Sequence, residues 1–440
     1  MSVISLINAF PLGRPAEKGF WLYKSLPTGV LAKLEADNFR KTVRWAAVRS
    51  PFYKRKFREL GIDASKVNVA ADLGDFFTTA EDIRRSPEEF VCLSPDTAYE
   101  TTGTTSKRPK RVYFSRTEVK EAGWAGAVGL WGLGVRPEDR IVSAFDYSFW
   151  VSGPVLIASC EALGCFHVEA GRLDPAEFYD RLADYRVNVI VGDPSWIVRL
   201  SEIAEKRRKE AAAWPVKLLL GGGENLNEEA RRYVEHVWKA DFILSYGQTE
   251  AFGAIGMESR AKDGYHLNEF HNLFEILKPD AEGWGELAYT TLNRRVMPLI
   301  RYRSGDVTRF LEGPSTSGLP GRRIAKLRGR VDEWTVTAMG NIAPWMFEPL
   351  FGSVRSLAGD WQITVDKDGP KDVVTFNVER AGDATDAAIR EGVFSGFRAE
   401  FGECWRVAEM GLLKLDLKVH PAGSLRTGRK LKRILDRRKF

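Results

Sequence analysis

Cysteine is scarce in this chain of 440 residues, which has only four, at positions 92, 160, 165 and 404. Four thiols cannot cross-link a chain of this length, so a disulfide-built scaffold is excluded and a reducing compartment is indicated. Long apolar runs are lacking too. The longest, 151–166, is interrupted by Glu161, and no basic residue precedes the short apolar stretch within 1–12. We expect a cytoplasmic protein with no membrane span.

The rest of the composition is ordinary for a globular protein, with 44% hydrophobic and 28% charged residues. This balance excludes a disordered, collagen-like or low-complexity chain. A chain of this length is expected to form two or more domains.

Positive charge is concentrated at one end of the chain. The net charge is +6, but residues 426–440 carry eight basic side chains against the single acid Asp436, so the remainder is close to neutral. A nucleic-acid-binding protein spreads basic residues over a face among aromatic side chains, so we expect no nucleic-acid partner. The tail is then either a solvated basic helix end or a segment that handles phosphate groups.

The order of helical and strand-like patterns predicts the fold class. The first ninety residues read mainly as helices, including 31–57 and 79–86. Farther along, short β-rich runs alternate with amphipathic helical segments. The runs are 140–145, 187–191, 216–220 and 241–246, and the helical segments include 174–185 and 227–239. This alternation predicts a layered α/β domain with largely parallel strands.

Strands become shorter after Gly285, as in 286–291 and 307–311, and turn residues crowd in. A new strand-turn-helix pattern begins near Gly329 and runs to the end of the chain. We therefore predict a large N-terminal domain over 1–328 and a small α+β domain over 329–440.

Residues 101–107 pack hydroxyls, a glycine and a lysine between two strand-like segments. Such a loop suits hydrogen bonding to polyphosphate oxygens through side-chain oxygens and backbone N–H groups. It is not a Walker A loop, because the position five after the glycine is Arg108. A polar surface turn is the alternative. The candidate phosphate ligands are Thr102, Gly103, Thr104, Thr105 and Lys107.

Two further segments follow apolar strands directly. The run 221–224 places glycines where a flat ligand can approach the backbone, and 245–250 brings a ring, hydroxyls and a carboxylate to a strand end. Glycine turns without a ligand are the alternative for the first segment. The candidate residues are Gly222, Gly223, Glu224, Ser245, Tyr246, Gly247, Thr249 and Glu250. The carboxylate of Glu250 is of the type that binds Mg²⁺.

Taken in order, these segments resemble the adenylate-forming superfamily of acyl-CoA synthetases. The loop at 102–107 is similar to its phosphate loop, 246–250 to its Tyr-Gly-x-Thr-Glu segment and 302–306 to its Tyr-Arg-Thr-Gly-Asp element. Residues 329–332 resemble its hinge, and 426–433 its C-terminal lysine motif. The chain is most similar to the phenylacetate-CoA ligase branch, on its length and on the segments 51–56, 161–164 and 193–195.

The resemblance implies roles for individual residues. Lys430 would bridge the attacking carboxylate and the phosphate, with Glu250 and Thr249 beside it and Glu250 binding Mg²⁺. Asp306 would hold the ribose hydroxyls next to Arg330, and Gly340 would line the pantetheine tunnel. A hinge at Asp332 would make the C-terminal domain mobile. The composition of the tail alone does not distinguish Lys430 from the other lysines there.

The chain departs from the branch at two places. Ser106 replaces the second glycine of the phosphate loop, and Arg108 is an added residue. Many branch relatives carry a structural zinc on cysteine and histidine ligands, and the matching positions here are Ser259, His266, Ser315 and Ser317. Serine hydroxyls do not bind zinc as thiolates do, so we predict no zinc.

The acyl pocket is predicted from position alone. Tyr147 and Phe149 follow the first core strand, and Phe252 and Ala254 follow Glu250. An aromatic lining favours a flat aryl acid, although aromatic residues at such positions are as often plain core.

The predicted function is ATP-dependent adenylation of a carboxylic acid, aryl and phenylacetate-like, with transfer of the acyl group to coenzyme A. The cofactors are ATP, Mg²⁺ and coenzyme A. Two alternatives stay open: loading of a carrier-protein phosphopantetheine, and a nucleotide-binding relative without turnover. A carrier protein and a second copy of the chain, in a homodimer, are the further partners considered.

Overall fold

The computed structural model describes residues 14–101, 109–145, 147–171, 173–207, 215–224, 226, 228–331, 335–368, 371–427 and 431–438. The chain divides into two compact units. The first takes in residues up to 225, 231–304 and 308–326, and the second takes in 226–230, 305–307 and the chain from 327 on.

The described helices are α1 Pro15–Ser25, α2 Thr28–Arg49, α3 Pro51–Glu59, α4 Ala80–Arg85, α5 Arg116–Gly132, α6 Ser152–Leu163, α7 Pro175–Leu182, α8 Pro194–Lys206, α9 Glu228–Trp238, α10 Pro344–Ser353, α11 Asp386–Glu400 and α12 Gly402–Glu409.

The described strands of the first half are β1 Thr97–Glu100, β2 Arg111–Phe114, β3 Arg140–Ser143, β4 Phe166–Glu169, β5 Val189–Gly192, β6 Leu218–Gly222, β7 Asp241–Gln248, β8 Gly253–Glu258, β9 Tyr265–Leu267, β10 Asn272–Leu277 and β11 Gly285–Thr291. Those of the second half are β12 Tyr302–Thr308, β13 Phe310–Leu311, β14 Arg323–Ile324, β15 Gly329–Arg330, β16 Thr335–Thr337, β17 Gly340–Ile342, β18 Leu357–Asp368, β19 Lys371–Arg380, β20 Leu413–His420 and β21 Ile434–Asp436.

The N-terminal helices confirm the helical reading of this region but not its boundaries. The prediction of one continuous helix over 31–57 is wrong, because α2 ends and α3 begins within this range. Pro51 has no N–H to continue the helix, and the Ser50 side chain caps the next one by accepting a hydrogen bond from Tyr53 N at 3.4 Å.

A nine-stranded sheet forms the core of the first unit, in the order β13-β14-β9-β8-β7-β6-β5-β3-β4. The five strands from β7 to β4 are parallel, and the pairings from β7 to β13 are antiparallel. Every residue of β5 and β6 is buried, as expected for central strands of a parallel sheet. The predicted α/β class is therefore confirmed.

Side chains alternate along the central strands, so Val189 and Leu218 lie on the same face of the sheet. There they pack with Leu130 of α5 and with Leu156 and Leu163 of α6 in one buried cluster. Burial of this cluster fixes the central strands against α5 and α6, and thereby the position of the loops that follow the strands.

An ion pair supports the sheet where its strands change direction. Arg231 of α9 and Glu258 of β8 are 2% and 0% exposed, and their side chains are joined by two hydrogen bonds of 2.8 Å. Glu258 also accepts from Leu244 N, and Arg231 donates to the carbonyl of Phe242. The pair thereby ties α9 to β7 and β8.

Two smaller sheets accompany the large one. β1 and β2, which precede and follow the predicted phosphate loop in the sequence, pair as a hairpin, and β10, β11, β12 and β15 form a second sheet. The predicted strand 307–311 is in strand structure but is not continuous, because β12 ends at Thr308 and β13 begins at Phe310 in the nine-stranded sheet.

The second unit has its own four-stranded sheet, in the order β20-β19-β18-β21. Phe347 of α10 and Phe397 of α11 pack against Phe376 of β19 in a core separate from that of the first unit. The tail is not a helix end here, since 434–436 form β21 parallel to β18. The domain boundary at 328/329 and the mobility of the C-terminal domain stay predictions.

Candidate active site

The strand ends of the parallel sheet bring two of the predicted segments together. Gly222 of β6 pairs with Ser245 of β7. A Cβ atom at Gly222 would lie 2.9 Å from the Ser245 hydroxyl and 3.8 Å from the ring of Phe145, which follows β3. The absence of a side chain at Gly222 therefore leaves room for the Ser245 hydroxyl at this edge of the sheet. Gly223 follows with φ +90, a conformation that favours glycine.

Glu224 lies at the same edge and connects it to α8, the helix that follows β5. Its carboxylate accepts a hydrogen bond from Ser195 N at 3.1 Å, in the first turn of α8. The N-terminus of a helix attracts negative charge, so this contact fixes the loop after β6 against α8.

The segment 245–250 continues the strand farther than the predicted strand 241–246. Strand β7 runs to Gln248, and Tyr246 is buried with its ring 6.1 Å from that of Tyr265. Gln248 accepts from the Tyr289 hydroxyl at 3.0 Å and donates to the Ser304 carbonyl at 3.1 Å. Thr249 and Glu250 follow in a single 3₁₀ turn.

Glu250 is almost completely buried and does not lack partners. The hydroxyl of Tyr302 donates to its Oε1 at 2.8 Å, and Lys110 forms an ion pair with the same oxygen. Lys110 also donates to the Tyr302 hydroxyl at 3.0 Å. Burial acts to raise the pKa of Glu250, but the Lys110 charge and the hydrogen bonds outweigh it, so the pKa is lowered and the carboxylate is ionised.

Lys110 is a site residue that the sequence reasoning missed. It lies just beyond the predicted phosphate loop, at the loop end of the β1–β2 hairpin. There the Thr101 amide donates to the Lys110 carbonyl at 3.0 Å and the Lys110 amide donates to Thr101 Oγ1 at 3.2 Å. Its closeness to the loop was visible in the sequence, but its contact with Glu250, 140 positions away, was not.

Several predicted residues lie outside the described part of the chain. These are Thr102, Gly103, Thr104, Thr105 and Lys107 of the phosphate loop, together with Asp332, Lys430 and the side chain of Ala254.

Asp306 and Arg330 come together as predicted. They are paired residues of β12 and β15, and Arg330 Nη1 lies 3.0 Å from Asp306 Oδ1. The guanidinium lies across Gly305, where a Cβ would be 2.5 Å from it and where φ is +78. Gly340 begins β17 opposite Thr337.

The residues on either side of 428–430 are held to β18 by one carboxylate. Asp360 makes two hydrogen bonds to Arg426, of 2.8 and 2.9 Å, and an ion pair of 3.1 Å to Arg433. In this structure Arg426 is therefore engaged by Asp360 rather than exposed to receive a phosphate group.

The predicted acyl-pocket residues differ in exposure. Phe252 is buried, with its ring 4.6 Å from that of Phe114 and 5.6 Å from that of Tyr99. Phe149 is 66% exposed, while its carbonyl accepts from Glu100 N at 2.9 Å. Tyr147 is half-buried, and its hydroxyl contacts Ser143.

The positions considered for zinc hold a hydrogen-bonded polar cluster. His266 Nε2 lies 3.3 Å from Ser315 Oγ and 3.4 Å from Ser317 Oγ, and Ser315 donates to Asp263 at 2.9 Å. Burial lowers the pKa of His266. Among the described residues, no three histidine, cysteine or acidic side chains are grouped to hold a metal ion.

All four cysteines are free thiols. Cys160 is buried in the core, and Cys165 is half-buried with its Sγ 3.8 Å from the Cys160 carbonyl. No helix in the described part of the chain is long and apolar enough to cross a membrane.

Residues 61–269 match the family model described as AMP-binding enzyme. The phenylacetate-coenzyme A ligase of Pseudomonas putida is 26% identical over 370 residues, covering 79% of this chain and 82% of that protein. The enzyme of the same description from Thermus thermophilus is 27% identical over 374 residues, covering 81% and 83%. The chain is similar to enzymes of the adenylate-forming superfamily. The predicted resemblance to the phenylacetate-CoA ligase-like branch of that superfamily is confirmed.

Solved structures of adenylate-forming enzymes share the fold. A 2-hydroxyisobutyryl-CoA ligase in its postadenylation state with 2-HIB-AMP matches with a TM-score of 0.80 at 21% identity, covering 94% of this chain and 91% of that one. An anthranilate CoA ligase with anthranoyl-AMP matches with a TM-score of 0.54 at 13% identity, covering 76% and 65%. At these identities the likeness concerns the fold.

Proposed function

We propose that this adenylate-forming enzyme activates a carboxylic acid with ATP and transfers the acyl group to coenzyme A. The observation that carries the proposal furthest is Glu250, a buried and ionised carboxylate next to the strand ends where Gly222 and Ser245 meet. Its position in the chain matches the metal-binding carboxylate of the superfamily. A charged group held in a buried position at such an edge is typical of a catalytic site.

In the first half-reaction an oxygen of the acid attacks the α-phosphorus of ATP, and the bond to the pyrophosphate oxygen breaks. Charge on the phosphate oxygens grows in that step, so stabilisation by fixed positive groups is the main catalytic effect. We assign Lys430 to the α-phosphate, and Thr102, Thr104 and Thr105 to the outer phosphates. Asp306, next to Arg330, is assigned to the ribose hydroxyls.

The residues present fit a Mg²⁺ ion, since Glu250 offers an ionised oxygen ligand of the kind that Mg²⁺ prefers. When bound, the metal supplies positive charge to the phosphate oxygens. Lys110 already places one positive charge next to Oε1 of Glu250, so it keeps this carboxylate ionised and in place before the nucleotide arrives.

In the second half-reaction the thiol of coenzyme A attacks the acyl carbon, and AMP leaves. The lysine that served the first step must then give way to the thiol. We propose that a rotation about Asp332 exchanges Lys430 for the segment that begins at Gly340. The Asp332→Pro variant should retain adenylation and lose thioester formation.

We propose an aryl acid of the phenylacetate type as the substrate. The support is the similarity to the two phenylacetate-coenzyme A ligases over about four-fifths of the chain. Aromatic residues at the predicted pocket positions 147, 149 and 252 agree with it.

The test is the release of pyrophosphate and AMP with ATP, Mg²⁺ and a panel of aryl and short-chain acids, with and without coenzyme A. We expect one acid to drive pyrophosphate release and to appear as a CoA thioester by mass spectrometry. Lys430→Ala should abolish acyl-AMP formation, while the matched variant Lys432→Ala should retain it. ATP binding without turnover of any acid would contradict the proposal.

Acyl-AMP that accumulates without a thioester would indicate a carrier protein as the acceptor. The carrier-protein partner, the homodimer and the cytoplasmic location stay predictions.

A further inference from the structure

Three side chains at the end of the first core strand form a chain of hydrogen bonds. Ser143 is the last residue of β3, and its hydroxyl is bonded to the hydroxyl of Tyr147 four residues later. The same Ser143 oxygen lies 2.9 Å from Nε2 of His167 on the neighbouring strand β4, and the Tyr147 oxygen lies 3.5 Å from that nitrogen. The proposed function uses Tyr147 as an acyl-pocket residue but assigns no role to Ser143 or His167.

The protons of the cluster can be assigned. Burial lowers the pKa of His167 to about 4, so the ring is neutral near neutral pH. Burial likewise raises the pKa of Tyr147 to about 12, so the phenol keeps its proton. A neutral ring with a bare Nε2 accepts from Ser143, which in turn accepts from Tyr147. In this arrangement each hydroxyl proton has an acceptor, whereas the opposite arrangement leaves the phenol proton without an acceptor among the described side chains.

The ring of Tyr147 is restrained as well as its hydroxyl. It packs on Gly153, the second residue of α6, where a Cβ atom would lie 2.6 Å from Cδ1 and 2.7 Å from Cε1 of the ring. Any side chain at that position would displace the ring. The Gly153 backbone therefore restrains the ring of Tyr147, and the hydrogen bonds restrain its hydroxyl.

We propose that Ser143 and His167 turn the Tyr147 hydroxyl inward, so that Tyr147 offers the acyl pocket an aromatic ring without a hydrogen-bond donor. The enzyme then favours aryl acids that carry no polar group on the ring. This inference rests on the proposed function, which places Tyr147 beside the acyl group. His167 acts as a positioning residue, because it works through Ser143 and Tyr147.

The physical reason is the cost of an unpaired polar group. A ring hydroxyl on the acid gives up its bonds to water on entering the pocket, and no donor on Tyr147 replaces them. Discrimination of about tenfold or more against such an acid is then expected, because sites reject groups that they leave unpaired.

The first test compares phenylacetate with 4-hydroxyphenylacetate in the pyrophosphate-release assay. We expect kcat/KM to favour phenylacetate by about tenfold or more in the wild type. Tyr147→Phe should keep this ratio within about threefold, since the inward-turned hydroxyl makes no contact with the acid. The double variant Ser143→Ala with His167→Val frees the phenol and should lower the ratio at least about fivefold.

A matched control is Ser159→Ala, which removes a buried hydroxyl that bonds to Val155 within α6. It should leave the ratio unchanged. An unchanged ratio in the double variant, or loss of the ratio in Tyr147→Phe, would overturn the inference.

A second readout does not depend on turnover. The ¹⁵N NMR shifts of His167 should show a proton on Nδ1 and a bare Nε2 in the wild type, and this preference should weaken in Ser143→Ala. A proton on Nε2 in the wild type would overturn the inward orientation. Absence of acyl-AMP with every acid would count against the proposed function, and the NMR result would still decide whether the hydrogen-bonded chain exists.

Discussion

Removal of the Lys110 charge is the most direct test of the buried cluster around Glu250. The side chains of Lys110 and Glu250 are only 13% and 3% exposed. Lys110→Met keeps most of the side-chain volume but leaves the carboxylate buried without its cation. Breaking one partner of such a pair costs about 3–5 kcal/mol. We expect a loss of that size in the free energy of unfolding near neutral pH.

The loss should depend on pH with a definite sign. In the wild type the pKa of Glu250 is lowered, so its contribution to stability is present above the unfolded-state pKa and disappears as pH falls through the folded-state pKa. In Lys110→Met, burial acts without the cation and raises the pKa, so stability is lost as pH rises above the unfolded-state value. The difference between the two proteins should therefore widen from about pH 4 to about pH 7.

Urea denaturation followed by tryptophan fluorescence at several pH values measures this difference. Lys56→Met is the matched control, because Lys56 pairs with Glu59 on the surface of α3, where the two side chains are 38% and 49% exposed. Surface pairs of this kind contribute less than about 1 kcal/mol. A loss for Lys110→Met that is equally small, or that does not vary with pH, would refute the reasoning.

Two other substitutions test ion pairs elsewhere. Asp360→Asn removes the charge that holds both sides of the segment containing Lys430, so acyl-AMP formation should fall about tenfold while acyl transfer from supplied acyl-AMP is unchanged. Asp372→Asn is the control, because Asp372 pairs with Arg438 farther along the tail. Equal losses of acyl-AMP formation in the two variants would contradict the role of Asp360. Arg231→Met leaves Glu258 buried without its cation and should destabilise the protein by about 3–5 kcal/mol in urea denaturation. A change below about 1 kcal/mol would show that the pair is dispensable.

The parallel part of the sheet and its edge could be predicted because they depend on local patterns. Apolar runs of strand length alternate with amphipathic helices, and polar or glycine residues follow the runs directly. Chain order and strand polarity then place the segments after β6 and β7 at one edge. Gly222 and Ser245 lie within contact distance for that reason.

Element boundaries and long-range contacts could not be predicted in the same way. The helix break at Pro51 was marked by proline, but the run of helical spacing on both sides concealed it. The switch of 307–311 between two sheets depends on partners far away in the chain. Lys110 and Tyr302 meet Glu250 only after the β1–β2 hairpin and β12 are in place, so no spacing in the sequence encodes that contact.

The ion pair of Arg231 and Glu258 has a consequence for the backbone of β7. Ladder pairing of β7 with β8 begins at Ser245, opposite Met257, so Leu244 N and the Phe242 carbonyl bond to side chains instead of to a strand. The two charged side chains thus replace a neighbouring strand as hydrogen-bond partners of β7 at the point where the sheet changes from parallel to antiparallel pairing. We therefore expect the hydrogen-exchange rate of the Leu244 amide to depend on these two side chains, and substitutions on α9 to change how readily the middle of the sheet opens.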